Sequence, residues 1–302
     1  MTDKFKSLDK FLNLFLIFLF PTQLAFHFWP VFSLIFGIRV DYLSPTIYIT
    51  DILFFVLFVW WLTKSKEVFL EDVNRCKLTL LLLLVVSCLN IAFSVSHMVS
   101  FIKWIKIFEF LALGYYTFKR KELFKIETVA RVIFYSLLFV SLIGLLQFIN
   151  GKTSGNIFYL VGERNFSIYT PGIALGSILG KSYLRVYSTF PHPNSLAGFL
   201  GVSLLFMLPN LRLKNRWIKI LGLSLISVLF ILTFSLSAFV GLAICFFIYL
   251  NRRKTLLNQK YIVYIMSFIL LASLLLSLFS KKIIINNPDL PQSISQRLEL
   301  AD

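Results

Sequence analysis

Long, nearly uninterrupted apolar runs recur along the whole chain and constrain its fold more than any other feature. Apolar residues make up 58% of the 302 residues, and charged residues make up only 15%. An ordinary soluble domain carries about 25% charged residues. A helix needs about 20 apolar residues in succession to cross a bilayer. The sequence therefore excludes a soluble globular enzyme and a disordered chain, and it predicts an all-α polytopic transmembrane helix bundle.

The runs predict about nine membrane-spanning helices in a single transmembrane domain covering residues 1–302. The predicted spans are 11–30, 47–63, 78–94, 100–118, 132–149, 192–209, 218–234, 236–250 and 261–279. Most connections between them are short. Two longer segments are expected outside the membrane, a glycine-rich loop at 150–191 and a polar tail at 280–302.

The net charge of +16 is explained by membrane topology. Of the 30 Lys and Arg residues, 20 fall on one predicted side of the membrane, 8 fall on the other and 2 lie inside a span. Cytoplasmic loops carry the excess of basic residues. We therefore expect a multi-pass protein of the cytoplasmic membrane with a cytoplasmic N-terminus, in contact with membrane lipids. No nucleic-acid partner is needed to explain the charge.

The sequence gives no support for a metal or a cofactor. Its three cysteines are isolated and form no Cys-x-x-Cys pair. It contains no Walker loop, no Gly-x-Ser-x-Gly element and no His-Glu-x-x-His element. An ATPase, a hydrolase triad and a metalloprotease are therefore unsupported.

Charged residues inside the fourth predicted span are candidates for ligand binding. Lys103, Lys106 and Glu109 are spaced three residues apart, so they share one helix face. Lys106 can pair with Glu109, and Lys103 can direct its charge into an external cavity for an anionic ligand. A structural ion pair with a snorkelling lysine explains the same pattern.

The segment 185–198 is expected to lead into the sixth span from outside the membrane. Its prolines prevent helix from continuing upstream, and Asn194 is suited to cap the helix that follows. Arg185 lies just upstream, and its planar guanidinium is suited to phosphate oxygens. His192 is the best placed of the three histidines for catalysis, although a single histidine more often caps or packs.

Several of these residues resemble the signature of the bacterial O-antigen ligase and polymerase family. The resemblance is carried by the stretch from Arg185 to Leu200, which contains Pro-His-Pro-Asn, and more weakly by Leu232 to Gly241. Gly162-Glu-Arg164 and Ser295-Gln-Arg297 are also similar, and the likeness covers most of the chain from about residue 40.

The resemblance implies a polytopic glycosyltransferase that acts on the external face of the membrane. Such enzymes transfer or polymerise glycans from a polyprenyl-diphosphate-linked donor to a glycan or lipid acceptor, with inversion and without a metal. Arginines that hold the diphosphate stabilise its developing charge. When the family's motifs are matched to this sequence, Arg185 and Arg297 become catalytic candidates in addition to His192. Lys103, Arg164, Asn194 and Ser235 are the candidate substrate-binding residues.

Two departures from the family pattern bear on activity. Position 236 is leucine where the family has an arginine, and the chain stops at Asp302 where a large external loop with a catalytic histidine is expected. The resemblance therefore implies an incomplete family member. Two other hypotheses stay open: a non-enzymatic transporter of an anionic solute or lipid-linked glycan, and an inactive fragment.

Overall fold

The computed structural model describes residues 3–35, 37–39, 43–170, 173–178 and 181–254. Within them the helices are α1 (Asp3–Leu19), α2 (Ile49–Lys64), α3 (Lys66–Arg75), α4 (Lys77–Ala92), α5 (His97–Lys119), α6 (Ile126–Asn150), α7 (Pro193–Asn210), α8 (Arg216–Leu232) and α9 (Leu236–Lys254). The chain divides into two compact units, Met1–Val240 and Gly241–Asp302. Helices α1 to α8 lie wholly in the first unit.

Three small antiparallel two-stranded sheets lie between the helices. They pair β1 (Ala25–His27) with β4 (Thr46–Tyr48), β2 (Leu34–Ile35) with β3 (Ile38–Arg39), and β5 (Leu175–Ile178) with β6 (Lys181–Leu184). The β2–β3 hairpin is inserted between the two strands of the first sheet. The β5–β6 hairpin lies within the predicted loop 150–191. These strands depart from the expected all-α class.

Helix α6 is the centre of the larger core. It packs against α1, α7 and α8. Fully buried apolar residues from three of these helices meet there: Phe134, Leu137, Val140 and Ile143 of α6, Leu196, Leu200 and Met207 of α7, and Ile226 and Leu229 of α8. Helices α6 and α8 approach closely at Gly222 of α8, because glycine has no side chain there. A Cβ atom built there would lie 2.3 Å from the ring of Phe134.

A second apolar cluster joins α1, α2 and α5. It is built on Leu16, Phe54, Leu57, Trp61 and Tyr116. The Tyr116 hydroxyl donates a hydrogen bond to Asn13 Oδ1 of α1 at 2.9 Å. Below this cluster, ion pairs gather at one end of the helices: Arg120 with Asp9 and Glu122, and Lys119 with Asp72.

The expectation of nine membrane-spanning helices is wrong. Among the described residues, α6 alone is long and apolar enough to cross a membrane. A second candidate arises only if α3 and α4 are taken as one span, and they are bent by 74° at their junction. The ninth predicted span, the tail 280–302 and Arg297 lie outside the described residues.

Helix length and charge explain the difference. The apolar runs are largely helical, but α2 and α4 have only 16 residues each, or about 24 Å against the roughly 30 Å of a hydrocarbon core. Helix α5 is long enough but carries the charges of Lys103, Lys106 and Glu109. The first predicted span, 11–30, breaks because α1 ends at Leu19, before Pro21, and the chain continues as a strand.

Gly222→Ala tests the close approach of α6 and α8. Alanine favours an exposed helix by up to about 1 kcal/mol. Here the added methyl group meets the ring of Phe134, which is fully buried, so we expect a loss of roughly 1–3 kcal/mol in unfolding free energy. Chemical denaturation monitored by tryptophan fluorescence measures this.

Gly114→Ala in α5 is the matched control, because a Cβ atom there has no neighbour within 4 Å. Its stability should equal or exceed that of the original chain. If Gly222→Ala and Gly114→Ala changed the free energy of unfolding equally, the close packing of α6 against α8 would be contradicted.

Candidate functional site

A cavity of about 850 Å³ opens between the end of α1, the start of α2 and the middle of α5. Its wall is largely apolar and includes Leu16, Phe20, Phe54, Ile102, Ile107, Phe110, Leu113 and Phe199. Its charged lining residues are Lys103, Lys106, Arg164, Asp51 and Glu109. The cavity therefore combines a hydrophobic surface with a small charged region, which suits an amphiphilic ligand.

The charged region is organised by Lys106 of α5. Its ammonium group forms ion pairs with Glu109, at 2.9 Å from Oε2, and with Asp51 of α2. Asp51 Oδ2 also accepts a hydrogen bond from the Tyr48 backbone N–H at 2.8 Å, at the start of α2. The Lys106–Glu109 pair follows from their spacing, whereas the contact with Asp51 depends on how α2 meets α5.

Lys103 lies one turn from this ion-pair group on α5 and also lines the cavity. It is an exposed residue. Lys106 contacts two carboxylates, so this ion-pair group carries a net charge of −1 when all three groups are ionised. Lys103 and Arg164 add two positive charges to the cavity lining.

The position of Arg164 is set by the residue before it. Glu163 is 1% exposed, and its carboxylate accepts hydrogen bonds from Gln147 Nε2 at 2.7 Å and from the backbone N–H groups of Ser154 and Gly155 at 3.0 and 2.7 Å. Buried carboxylates are stable only when their lone pairs are satisfied in this way. The network therefore holds the loop that brings Arg164 to the cavity.

Gly162 allows this loop to lie against the end of α1. Its φ of +93° is strained for residues with a side chain, and a Cβ atom would lie 2.3 Å from the backbone carbon of Gln23. The Gln23 N–H donates to the Val161 carbonyl at 3.2 Å. Gln23 itself lines the cavity.

The two sequence elements that carry the family resemblance meet at Arg185. Its Nε donates to the Thr233 carbonyl at 2.7 Å, and one Nη donates to Asn194 Oδ1 at 2.6 Å. The Val186 N–H also donates to the Leu232 carbonyl at 3.2 Å. Arg185 is only 9% exposed. In this structure its guanidinium joins the start of α7 to the end of α8, and its predicted contact with a diphosphate stays a prediction.

His192 caps α7. Its Nδ1 accepts a hydrogen bond from the Asn194 N–H at 3.1 Å, so the cap comes from the histidine rather than from Asn194. A neutral imidazole that accepts at Nδ1 carries its proton on Nε2. In this tautomer His192 is suited to donate a hydrogen bond rather than to remove a proton.

The break between α8 and α9 follows Thr233. Phe234 has a φ of +49°, and Ser235 is 1% exposed with its Oγ 3.5 Å from that of Ser237. Leu236, at the position where the family has an arginine, is 65% exposed.

The structure thus separates the predicted site residues into two groups. Lys103 and Arg164 line the cavity. Arg185, His192, Asn194 and Ser235 lie at the starts of α7 and α9, next to Pro191 of the cavity lining; Arg185 and Ser235 are buried, whereas His192 and Asn194 are half-buried. Sequence reasoning missed Gln147, although an amide side chain within the apolar run of α6 was an available signal.

Comparisons with known proteins do not assign the chain to a family. No family model, curated protein or solved structure matches it. The geometry of the cavity and its adjoining cluster therefore carries the functional argument.

Glu163→Ala tests the network that holds the Arg164 loop. The substitution leaves the Gln147 amide and two backbone N–H groups without their acceptor. Each unsatisfied buried group costs roughly 1–3 kcal/mol, so we expect a clear fall in the denaturant midpoint.

Glu122→Ala is its control, because Glu122 is exposed and pairs with Arg120 at the surface. Removing an exposed pair should cost at most about 1 kcal/mol. A midpoint for Glu163→Ala that matches the control would show that the Arg164 loop is not held by this carboxylate.

Proposed function

We propose that the chain is a glycosyltransferase of the O-antigen ligase or polymerase type, acting at the cytoplasmic membrane on a polyprenyl-diphosphate-linked glycan. The observation that carries the proposal is the meeting of Lys103 and Arg164 at one apolar-walled cavity. A diphosphate attached to a polyprenyl chain requires cationic groups beside a hydrophobic surface. The volume of about 850 Å³ lies within the range of ligand pockets.

The proposed chemistry is displacement at the anomeric carbon of the donor. An acceptor hydroxyl oxygen forms a bond to that carbon while the bond to the diphosphate oxygen breaks, and the diphosphate leaves with the electron pair. Lys103 and Arg164 hold the diphosphate and stabilise its growing charge. The hydroxyl proton passes to a carboxylate of the cavity, Asp51 or Glu109.

The residues that carry the family resemblance have a second role in this proposal, next to the cavity. Arg185 holds Asn194 and the Thr233 carbonyl in fixed positions next to the cavity. His192, with its proton on Nε2, is suited to donate to a phosphate oxygen. We therefore assign Arg185 as a positioning residue and diphosphate ligand candidate, and His192 as a hydrogen-bond donor candidate.

Transport of an anionic solute or lipid-linked glycan is the second candidate function. The ion pairs of Lys106 with Asp51 and Glu109 beside the apolar wall support it, because an apolar pocket with a few charged groups can hold an anionic, partly apolar ligand without a chemical step. Transport would move the ligand without changing its covalent bonds. This difference separates the two candidates in one assay.

The double variant Lys103→Gln/Arg164→Gln tests the proposed function. In vesicles that contain the chain, a polyprenyl-diphosphate glycan and an acceptor, we expect glycan transfer to fall by at least about 100-fold, as when a donor to a developing oxyanion is removed. Lys152→Gln is the control, because this exposed lysine lies in the same connection but outside the cavity lining. Its rate should be unchanged.

Thin-layer chromatography measures the loss of donor and the gain of product. The amount of lipid-linked glycan in each leaflet of the vesicle is measured in the same samples. Equal transfer by the double variant and the original chain would contradict the assignment of Lys103 and Arg164. Movement of intact donor between leaflets without any product would favour transport.

A further inference from the structure

We propose that a second cavity, between the start of α6 and the loop joining α7 to α8, binds a phosphate-bearing ligand. The cavity has a volume of about 520 Å³. Arg131 of α6 lines it together with Arg212 and Lys214 of the loop. None of its described lining residues carries a carboxylate.

This cavity is distinct from the one proposed to bind the donor. Arg131 lies near the start of α6, whereas Gln147, which hydrogen-bonds the residue before Arg164, lies near its end. Gln147 follows Arg131 by sixteen helical positions, or about 24 Å along the axis. The inference therefore goes beyond the proposed function and does not depend on it.

The loop that supplies two of the cations is held at both ends. The Leu211 N–H donates to the Met207 carbonyl at 2.8 Å, and Lys219 Nζ donates to the Leu211 carbonyl at 2.9 Å. At its other end, Asn215 Oδ1 accepts hydrogen bonds from the Trp217 and Ile218 N–H groups at 2.9 and 3.2 Å. Arg212 and Lys214 are therefore presented on a constrained backbone.

The third cation, Arg131, is exposed and is oriented by two hydrogen bonds within α6. The Arg131 side chain donates to the Glu127 carbonyl and to Thr128 Oγ1, both at 3.3 Å. One turn further along α6, the ring of Phe134 lies against Gly222 of α8. The distance between the start of α6 and the start of α8 is therefore set by close packing.

Charge is the reason to expect a ligand here. Three like charges around one cavity repel one another, and a phosphate group relieves that repulsion. The guanidinium fork of arginine matches two phosphate oxygens at once. The first turn of α8, which also borders the cavity, adds the partial positive charge of a helix start. Tyr135, Val132 and Ile218 supply an apolar wall beside the charges.

The phosphate can come from two sources, the headgroup of an anionic phospholipid or a soluble phosphate compound. The test uses the purified full-length chain with both probes. Native mass spectrometry of nanodiscs measures retained phosphatidylglycerol against phosphatidylcholine, and calorimetric titration in detergent measures binding of inorganic phosphate.

The test variant is Arg131→Gln/Arg212→Gln/Lys214→Gln, and the matched control is Lys66→Gln/Lys121→Gln/Lys125→Gln, which removes three charges outside the cavity lining. Each Lys or Arg near an anionic surface contributes roughly a fivefold gain in affinity, so the triple variant should bind on the order of 100-fold more weakly. The control should bind like the original chain. The single variant Arg212→Gln should show a roughly fivefold loss if the triple variant does not fold.

Selective retention of phosphatidylglycerol would identify a lipid headgroup, and binding of inorganic phosphate would identify a soluble ligand. Either result, lost in the triple variant and kept in the control, supports the site. The proposal is overturned if the original chain binds neither phosphatidylglycerol nor inorganic phosphate. It is also overturned by an equal loss in the triple variant and the control.

Discussion

The geometry of the candidate site depends on the hydrogen bonds made by the side-chain amide of Gln147. Gln147 is fully buried on α6, and its Nε2 donates to Glu163 at 2.7 Å and to the Ser188 carbonyl at 2.9 Å. Its Oε1 accepts from the Ser188 N–H at 2.7 Å. A buried amide that lost these partners would leave several polar groups unsatisfied. One residue of the central helix therefore sets the positions of both the Arg164 loop and the segment that contains Arg185.

The two ends of α6 have different chemical character. Near its end, Gln147 binds Glu163 and so positions the loop of Arg164, which lines an apolar-walled cavity together with Lys103 and the Lys106 ion pairs. Near its start, three basic residues surround a smaller cavity without described carboxylates. A ligand with a long apolar chain fits the first, and a compact phosphate group fits the second.

Sequence patterns predicted the helices better than they predicted the number of spans or the site. The apolar runs are helical because their side chains favour burial, but hydropathy alone did not predict that α1 ends at Leu19. The strands of two to four residues carry too little periodicity to be predicted. Lys103 and Arg164 were each candidates from the sequence. Their meeting at one cavity depends on Gly162 and Glu163, whose long-range contacts no local pattern reveals.

Photo-crosslinking with a polyprenyl diphosphate that carries a diazirine on its first isoprene unit tests the central claim most directly. The account predicts that the label maps to the apolar wall near Ile107, Phe110 and Phe199, and that inorganic diphosphate or unlabelled polyprenyl diphosphate competes with it. Labelling spread over the exposed apolar surface of α4, without competition, would contradict the assignment of this cavity as the donor site.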